Sequence, residues 1–267
     1  MVRILSDGDI ADVLDLEALL PVIEAFVKQG EGSVERPDRP HFPVGIGLDT
    51  DHPKKPLGTG LTMPAYIHGA PYYATKLVGV HERNAVEELP TVNAQLVLTD
   101  AATGLPVAFM AANRITNART GCIGGLAARA LASPPITLGV IGAGTQARWQ
   151  TRAIAAAVDV ANVRIYSPSD SKVACATDLG DRLAIPVATV ETAREAVVGA
   201  DVVVTATTAR EPVFPGKALD PGTLVIAIGA YTAETRELDA VTFERAATVF
   251  ADVPEAVIEI GDLRATD

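Results

Sequence analysis

One stretch, Pro135 to Val158, limits what this chain can fold into more than any other. It reads Pro-Ile-Thr-Leu-Gly-Val-Ile-Gly-Ala-Gly-Thr-Gln-Ala-Arg-Trp-Gln-Thr-Arg-Ala-Ile-Ala-Ala-Ala-Val. Ile136 to Ile141 is a short apolar run of the kind that forms a buried parallel strand. Gly142, Gly144 and Ala147 then make a G-x-G-x-x-A turn. Gln146 to Val158 continues in good helix formers, with apolar residues three and four apart. Strand, glycine turn and helix in immediate succession suit a dinucleotide pyrophosphate. Gly142 lets the chain turn sharply, Gly144 lets the backbone approach phosphates, and Ala147 lets helix and strand pack closely. The helix N-terminus supplies free N–H groups and a partial positive charge. The plainer alternative is an ordinary strand-to-helix turn that uses glycine for tightness alone.

The rest of the second half agrees with this start. Strands are predicted at Val163–Tyr166, Val187–Val190, Val202–Ala206, Thr223–Ile228 and Thr248–Ala251. Helices are predicted between them at Ser171–Leu183 and Thr192–Val198. Alternating apolar strands and helices mean a doubly wound parallel sheet of the Rossmann type. Its ligand belongs at the carboxyl ends of the strands. The loops after Ile141, Tyr166, Ala206 and Ile228 open there.

The first half follows another pattern. Ser6 or Asp7 can cap a first helix. Leu14–Gln29 is strongly helical, with Leu16, Leu19, Leu20, Ile23 and Phe26 as an apolar stripe. Glu35–Pro64, rich in Pro, Gly and charge, reads as loop with short strands, and its length makes it a candidate substrate-facing region. Tyr72–Val80, Thr91–Thr99 and Leu105–Met110 read as strands, the last two joined by a turn at Asp100–Gly104. Asn113–Ala132 is a helix rich in small residues, broken by Ser133-Pro134-Pro135. The chain is therefore α/β, with an α+β domain over 1–122 and a Rossmann domain over 123–267.

Composition closes off several functions. The formal net charge of −11 argues against a nucleic-acid backbone as partner. Cys122 and Cys175 have no metal-ligand spacing, and the four histidines (His41, His52, His68, His81) do not pair, so no metal site is expected. The opening Met-Val-Arg-Ile-Leu-Ser-Asp-Gly-Asp is no secretory signal, and no apolar run reaches the ~18 residues of a membrane span. A cytoplasmic protein with no membrane partner is expected.

Several polar residues invite a chemical reading beside a bland one. Lys76, inside an apolar strand, is either a snorkelling or edge-strand lysine or a cation holding a substrate carboxylate. Arg119 is either a surface arginine at helical spacing from Arg114 and Arg129 or a bidentate carboxylate clamp beside the nicotinamide. Arg39, in Arg-Pro-Asp-Arg-Pro, is either a solvated loop charge or a second carboxylate ligand. Glu82, Glu87 and Glu88 read as a solvated loop face. At the end of the second Rossmann strand, where an acid usually grips the ribose of NAD, the chain has Tyr166, Ser167 and Ser169, with Asp170 the nearest acid. Small hydroxyls tolerate a 2′-phosphate better than a carboxylate would, so NADP(H) is slightly favoured over NAD. Arg148 or Lys172 is the candidate cation for that phosphate.

Together these segments resemble a known family. Thr75-Lys76-Leu77-Val78, Leu89-Pro90-Thr91-Val92, Asp100 with Thr103-Gly104-Leu105-Pro106, Thr116-Asn117-Ala118-Arg119-Thr120 and Val140-Ile141-Gly142-Ala143-Gly144-Thr145-Gln146-Ala147 occur in order, followed by Gly229-Ala230 and Arg236-Glu237-Leu238-Asp239. The chain is similar throughout to the ornithine cyclodeaminase/μ-crystallin family, which includes archaeal alanine dehydrogenase-like members and ketimine reductases. The resemblance implies a homodimer formed through the first domain and a Rossmann domain that binds NAD(P). It implies that Lys76 and Arg119, with Arg39 as a third, bind the substrate carboxylate. It also implies that Thr91, Thr120, Thr145, Gln146, Ala147, Thr207 and the loop of Ile228, Gly229, Ala230 and Tyr231 line the cofactor site.

Two departures from the family pattern matter. Cyclodeaminases carry an Asp directly after the Gly-Ala or Gly-Gly that follows the fifth strand, and this chain has Tyr231. A phenol is neutral at pH 7 and is no carboxylate base. Family members also run several dozen residues longer, so the C-terminal return to the first domain is expected to be lacking after Asp267. The expected function is an NAD(P)-dependent oxidoreductase acting on an α-amino acid or a cyclic imino acid, with Tyr231 beside the reacting centre. The alternatives are an ornithine cyclodeaminase and a cofactor-binding protein without turnover.

Overall fold

The computed structural model describes residues 1–29, 31–87, 89–230, 232–251 and 261–264. Tyr231 lies outside them. The chain divides into two compact units, one of Met1–Asp15 and Pro21–Thr116, the other of Leu16–Leu20 and the chain from Asn117 onward.

The first unit is built on a seven-stranded sheet. Its elements in order are β1 (Arg3–Leu5), α1 (Asp7–Val13), the later part of α2 (Leu16–Lys28), β2 (Val34–Glu35), β3 (His41–Val44), β4 (Gly58–Ile67), β5 (Tyr72–Val80), β6 (Val92–Asp100) and β7 (Pro106–Ala111). The strand order is β1-β7-β6-β5-β4-β2, with β3 also on β4. Only β1–β7 is parallel; the other ladders are antiparallel. Ser6, rather than Asp7, caps α1: its hydroxyl accepts from the Asp9 amide, and the Asp9 carboxylate accepts from the Ser6 amide. In α2, Leu16 and Leu20 are buried, but Phe26 is exposed, so the apolar stripe is not buried along its whole length. The β6–β7 turn forms because Asp100 Oδ1 accepts from the Ala102 and Thr103 amides and the Thr103 hydroxyl, and Gly104 takes φ +73.

The loop expected over Glu35–Pro64 is a loop only in part, because the ten-residue β4 begins at Gly58. Gly58, Gly60 and Pro64 disguise it. Pro64 is accommodated because β3 pairs with Gly58–Leu61 and β2 with Tyr66–Ile67, so the intervening outer edge of β4 has no ladder partner to lose. The Phe42 ring lies across Gly60, where an added Cβ would come within 2.6 Å of Phe42 Cε2.

The second unit begins within α3 (Asn113–Leu131). It continues through β8 (Ile136–Ile141), α4 (Thr145–Ala157), β9 (Val160–Tyr166), α5 (Ser171–Arg182), β10 (Val187–Thr189), α6 (Ala193–Val197), β11 (Val202–Thr205), β12 (Leu224–Ala227), α7 (Ala240–Arg245) and α8 (Gly261–Arg264). Its five strands are all parallel, in the order β10-β9-β8-β11-β12. Counted from β8 this is 3-2-1-4-5, the order of a dinucleotide-binding Rossmann sheet. The expected sixth strand at Thr248–Ala251 is absent: those residues form no ladder, and Val249 and Phe250 are exposed.

The strands are apolar throughout because both faces are covered. Ile136, Leu138 and Val140 pack with Val163, Ile165, Val202 and Val204 beneath Ala147, Ile154, Cys175 and Leu179. Ile141 and Val203 pack on the opposite face with Ala196, Val197, Phe214 and Leu238. Each fully buried aliphatic side chain here contributes about 1.5–3 kcal/mol. The small residues of α3 serve close packing: a Cβ on Gly121 would meet the Trp149 carbonyl at 2.7 Å, and one on Gly125 the Ala153 carbonyl at 2.7 Å. Both cysteines are free and buried, and burial pushes the Cys122 thiol up to about 11. Among the described residues no helix is long and apolar enough to cross a membrane, and no cluster of His, Cys, Asp or Glu is placed to hold a metal ion.

Candidate active site

The carboxyl edge of the parallel sheet gathers most of the residues singled out in the sequence. Gly142 ends β8 with φ +110, its amide donating to the Tyr166 carbonyl of β9 at 2.8 Å. A Cβ there would collide with the Ala206 carbonyl, so the position requires glycine on steric grounds alone. Gly144 differs. It is the N-cap of α4 with φ −81, it provides no side-chain cap, and an added Cβ would meet no protein atom within 4 Å. The α4 N-terminus is therefore uncovered at the place where backbone amides accept an anion. Thr145 is exposed beside it and Ala147 is fully buried against the sheet. Gln146 Nε2 donates to Asn117 Oδ1 at 2.9 Å, while its buried Oε1 has no partner.

The turn is braced from below. The Arg148 guanidinium donates to the Ala143 and Gly144 carbonyls, and its Nε lies 3.3 Å from Asp178. The hydrogen bond from Arg182, with the charges of Arg182 and Arg148, holds the Asp178 carboxyl below the usual carboxylate range. Lys172 donates to the Val190 carbonyl and to Glu191, each at 3.1 Å. Both candidate cations for a 2′-phosphate are thus engaged elsewhere. What stands at the end of β9 is a cluster of hydroxyls. Ser169 and Ser171 Oγ are 2.7 Å apart, and Ser167 Oγ lies 3.4 and 3.3 Å from them.

The ends of β11 and β12 are tied together by a residue to which the sequence assigned no role. Glu237 is fully buried. Its carboxylate accepts from the Thr205 hydroxyl at 2.8 Å, the Thr207 amide at 2.6 Å and the Gly229 amide at 2.7 Å. Burial pushes this carboxyl up, against the opposing pull of those donors. The Glu237 and Leu238 amides in turn donate to Asp262 Oδ1 at 2.6 and 2.9 Å. Thr207, Ile228, Gly229 and Ala230 are half-buried around this knot. In the sequence Glu237 is one charge among Arg236, Glu237 and Asp239. The motif containing it was the only signal, and its burial depends on partners eight to 32 residues distant.

In the first unit Lys76 is half-buried on β5, paired across the ladders with Met63 and Leu96. Strands flank β5 on both sides, so the edge-strand explanation of this lysine does not apply. Its Nζ is 3.5 Å from Thr116 Oγ1 at the start of α3. Thr91 is exposed just before β6, its carbonyl accepting from the His81 amide at 2.8 Å. Arg39 is exposed in irregular chain. In the second unit Arg119 and Thr120 are half-buried on α3, and the Thr120 carbonyl accepts from Gln150 at 3.0 Å.

The family model for the ornithine cyclodeaminase/mu-crystallin family matches residues 3–267. The chain belongs to this family. Among its solved relatives, a Δ1-pyrroline-2-carboxylate reductase of Thermococcus litoralis, in complex with NADH and L-proline, superposes with a TM-score of 0.89 at 31% identity, over 99% of this chain and 80% of that one. An archaeal alanine dehydrogenase, a dimer with bound NAD, superposes with a TM-score of 0.84 at 30% identity, over 97% and 77%. The ketimine reductase mu-crystallin of Mus musculus is 32% identical over 97% of this chain and 81% of its own length. The Rossmann-type sheet with a second α+β unit is accordingly shared with these relatives.

Proposed function

We propose that this chain is an NAD(P)-dependent oxidoreductase acting on an α-amino acid or an imino acid, in the manner of the family's dehydrogenases and imine reductases. The observation that carries the proposal is the uncapped α4 N-terminus at Gly144, on the first strand of a 3-2-1-4-5 parallel sheet. A dinucleotide fits these residues: a Cβ on Gly144 would enter open space and no side chain caps α4, so the helix's first amides are open to a phosphate. Gly142, Gly144, Thr145, Gln146 and Ala147 would hold the pyrophosphate, and Thr207, Ile228, Gly229 and Ala230 the nicotinamide side, with Thr91, Arg119 and Thr120 as further contacts. Bound there, the cofactor would supply hydride exchange with the α-carbon of the substrate. Lys76 and Arg119 fix the substrate carboxylate, Arg119 by a bidentate contact, and Arg39 adds a third cation. To Tyr231, which lies outside the described residues, we assign the role of hydrogen-bond donor to the imine. Its phenol does not supply the carboxylate base that ring closure of ornithine calls for.

NADP(H) is slightly favoured, because Ser167, Ser169 and Ser171 present hydroxyls rather than a carboxylate where the adenosine ribose is held. The acting form is a homodimer. In support, a cross-strand row of Ile4, Phe109, Val97, Thr75 and Pro64 runs over one face of the first unit's sheet, and Ile4, Phe109 and the neighbouring Leu77 are exposed. Phe109→Glu should shift the chain to monomers in sedimentation, and an unchanged dimer would discount this face. The activity itself is tested by following absorbance of the reduced cofactor, with L-proline and L-alanine forward and with pyrroline-2-carboxylate and pyruvate plus ammonia in reverse. A chain that binds no dinucleotide would sink the reading.

A further inference from the structure

We propose that Glu237 is a positioning residue for the nicotinamide half of the cofactor, acting through Thr207 and Gly229. This rests on the oxidoreductase reading above. In a 3-2-1-4-5 sheet the glycine turn and the end of the second strand take the pyrophosphate and the adenosine side. The fourth and fifth strands serve the other mononucleotide half. Here those are β11 and β12, and Glu237 joins their ends. One carboxylate oxygen accepts from Thr205 and Gly229, the other from Thr207. A carboxylate held by hydroxyl and amide donors in an apolar core is a costly choice if the only need is to fill space. What the arrangement supplies is geometry. The Thr207 and Gly229 amides are fixed to one rigid group, so neither strand end moves without the other. A Cβ on Gly229 would collide with the Thr207 carbonyl and come within 2.6 Å of Glu237 Cδ, so the three groups form one close-packed knot. Asp262 pins the knot from behind through the amides of Glu237 and Leu238. Glu237 is fully buried, so its action on the cofactor would pass through Thr207 and Gly229.

Glu237→Gln tests the role at nearly constant volume. Its NH2 group must replace a carboxylate oxygen opposite a backbone amide that cannot become an acceptor. Three quantities are measured on the folded chain: affinity for NAD(P)H from nicotinamide fluorescence, affinity for ADP-ribose or its 2′-phosphate, which lack the nicotinamide, and kcat and KM for imine reduction. NAD(P)H affinity should fall roughly ten- to hundredfold, and kcat should fall with it. ADP-ribose affinity should stay within about threefold, because the glycine turn is untouched. Thr205→Val removes one donor and should act in the same direction with a smaller effect; it carries the test if Glu237→Gln fails to fold. Equal losses for both ligands, or no loss for either in both variants, would overturn the role. Wild-type chain that binds neither ligand would overturn the oxidoreductase reading and this role with it.

Discussion

Gly144→Val separates ligand binding from folding at the glycine turn. The backbone at 144 has φ −81, which any L-residue adopts, and the new side chain meets no protein atom at its Cβ. The folding cost is that of a poor N-cap, about 1 kcal/mol, since Gly144 makes no side-chain capping bond to lose. That corresponds to a drop in Tm of roughly 2–4 °C in a chain of this size. The binding cost is much larger. A branched side chain at the α4 N-terminus occupies the approach to its free amides. Losing two charge-assisted contacts of about 2 kcal/mol each weakens the dinucleotide about a thousandfold. Titration with the reduced cofactor, followed by nicotinamide fluorescence, and a thermal melt of the same sample measure both costs. Gly142→Ala is the contrasting variant. At φ +110 and against the Ala206 carbonyl it should lose stability before it loses affinity. A well-folded Gly144→Val chain that binds cofactor within about threefold of wild type would refute the reasoning.

Three further outcomes are expected. Ser167→Asp should turn cofactor preference toward NAD, since a carboxylate among the serine hydroxyls bonds a 2′-OH and repels a 2′-phosphate; a wild type that already prefers NAD strongly would remove the premise. Lys76→Ala and Arg119→Ala should each cost on the order of 2–4 kcal/mol of transition-state binding, roughly a 30- to 1000-fold loss in kcat/KM, with a far smaller effect on the melt. Near-normal turnover in either variant takes that residue out of the site. Wild type should form no appreciable proline from ornithine, whereas Tyr231→Asp should gain some; robust proline formation by wild type would overturn the role given to Tyr231.

What the sequence revealed was local. Pro135–Val158 declares itself because strand, turn and helix are adjacent and each residue's reason lies within a few positions of it. The five parallel strands follow from the same apolar runs. β4 was hidden because Gly58, Gly60 and Pro64 oppose strand propensity, and their tolerance depends on Phe42 and on the gap between β2 and β3. Thr248–Ala251 misled for the converse reason: its apolar residues suit a strand, but among the described residues nothing pairs with it. The site divides in the same way. That Gly142, Gly144 and Ala147 fall together on one strand-to-helix turn was legible from spacing. Glu237 was not, because a carboxylate between an arginine and an aspartate reads as solvated until Thr205, Thr207 and Gly229 close around it.

The interrupted outer edge of β4 bears on how copies of this chain meet. A sheet grows by adding strands, and growth needs a continuous row of free amides and carbonyls. At one end of this sheet β1 offers three residues beginning with Arg3. Along the other, β2 and β3 take only parts of β4, and Pro64 stands between them without an amide hydrogen. Both ends are poor templates for open-ended polymerisation, although one face is apolar enough to stick. Face-to-face contact between identical surfaces is self-complementary and ends with a pair. On the homodimer proposed above, these edges leave the apolar face, and not strand addition, as the route by which copies would pair.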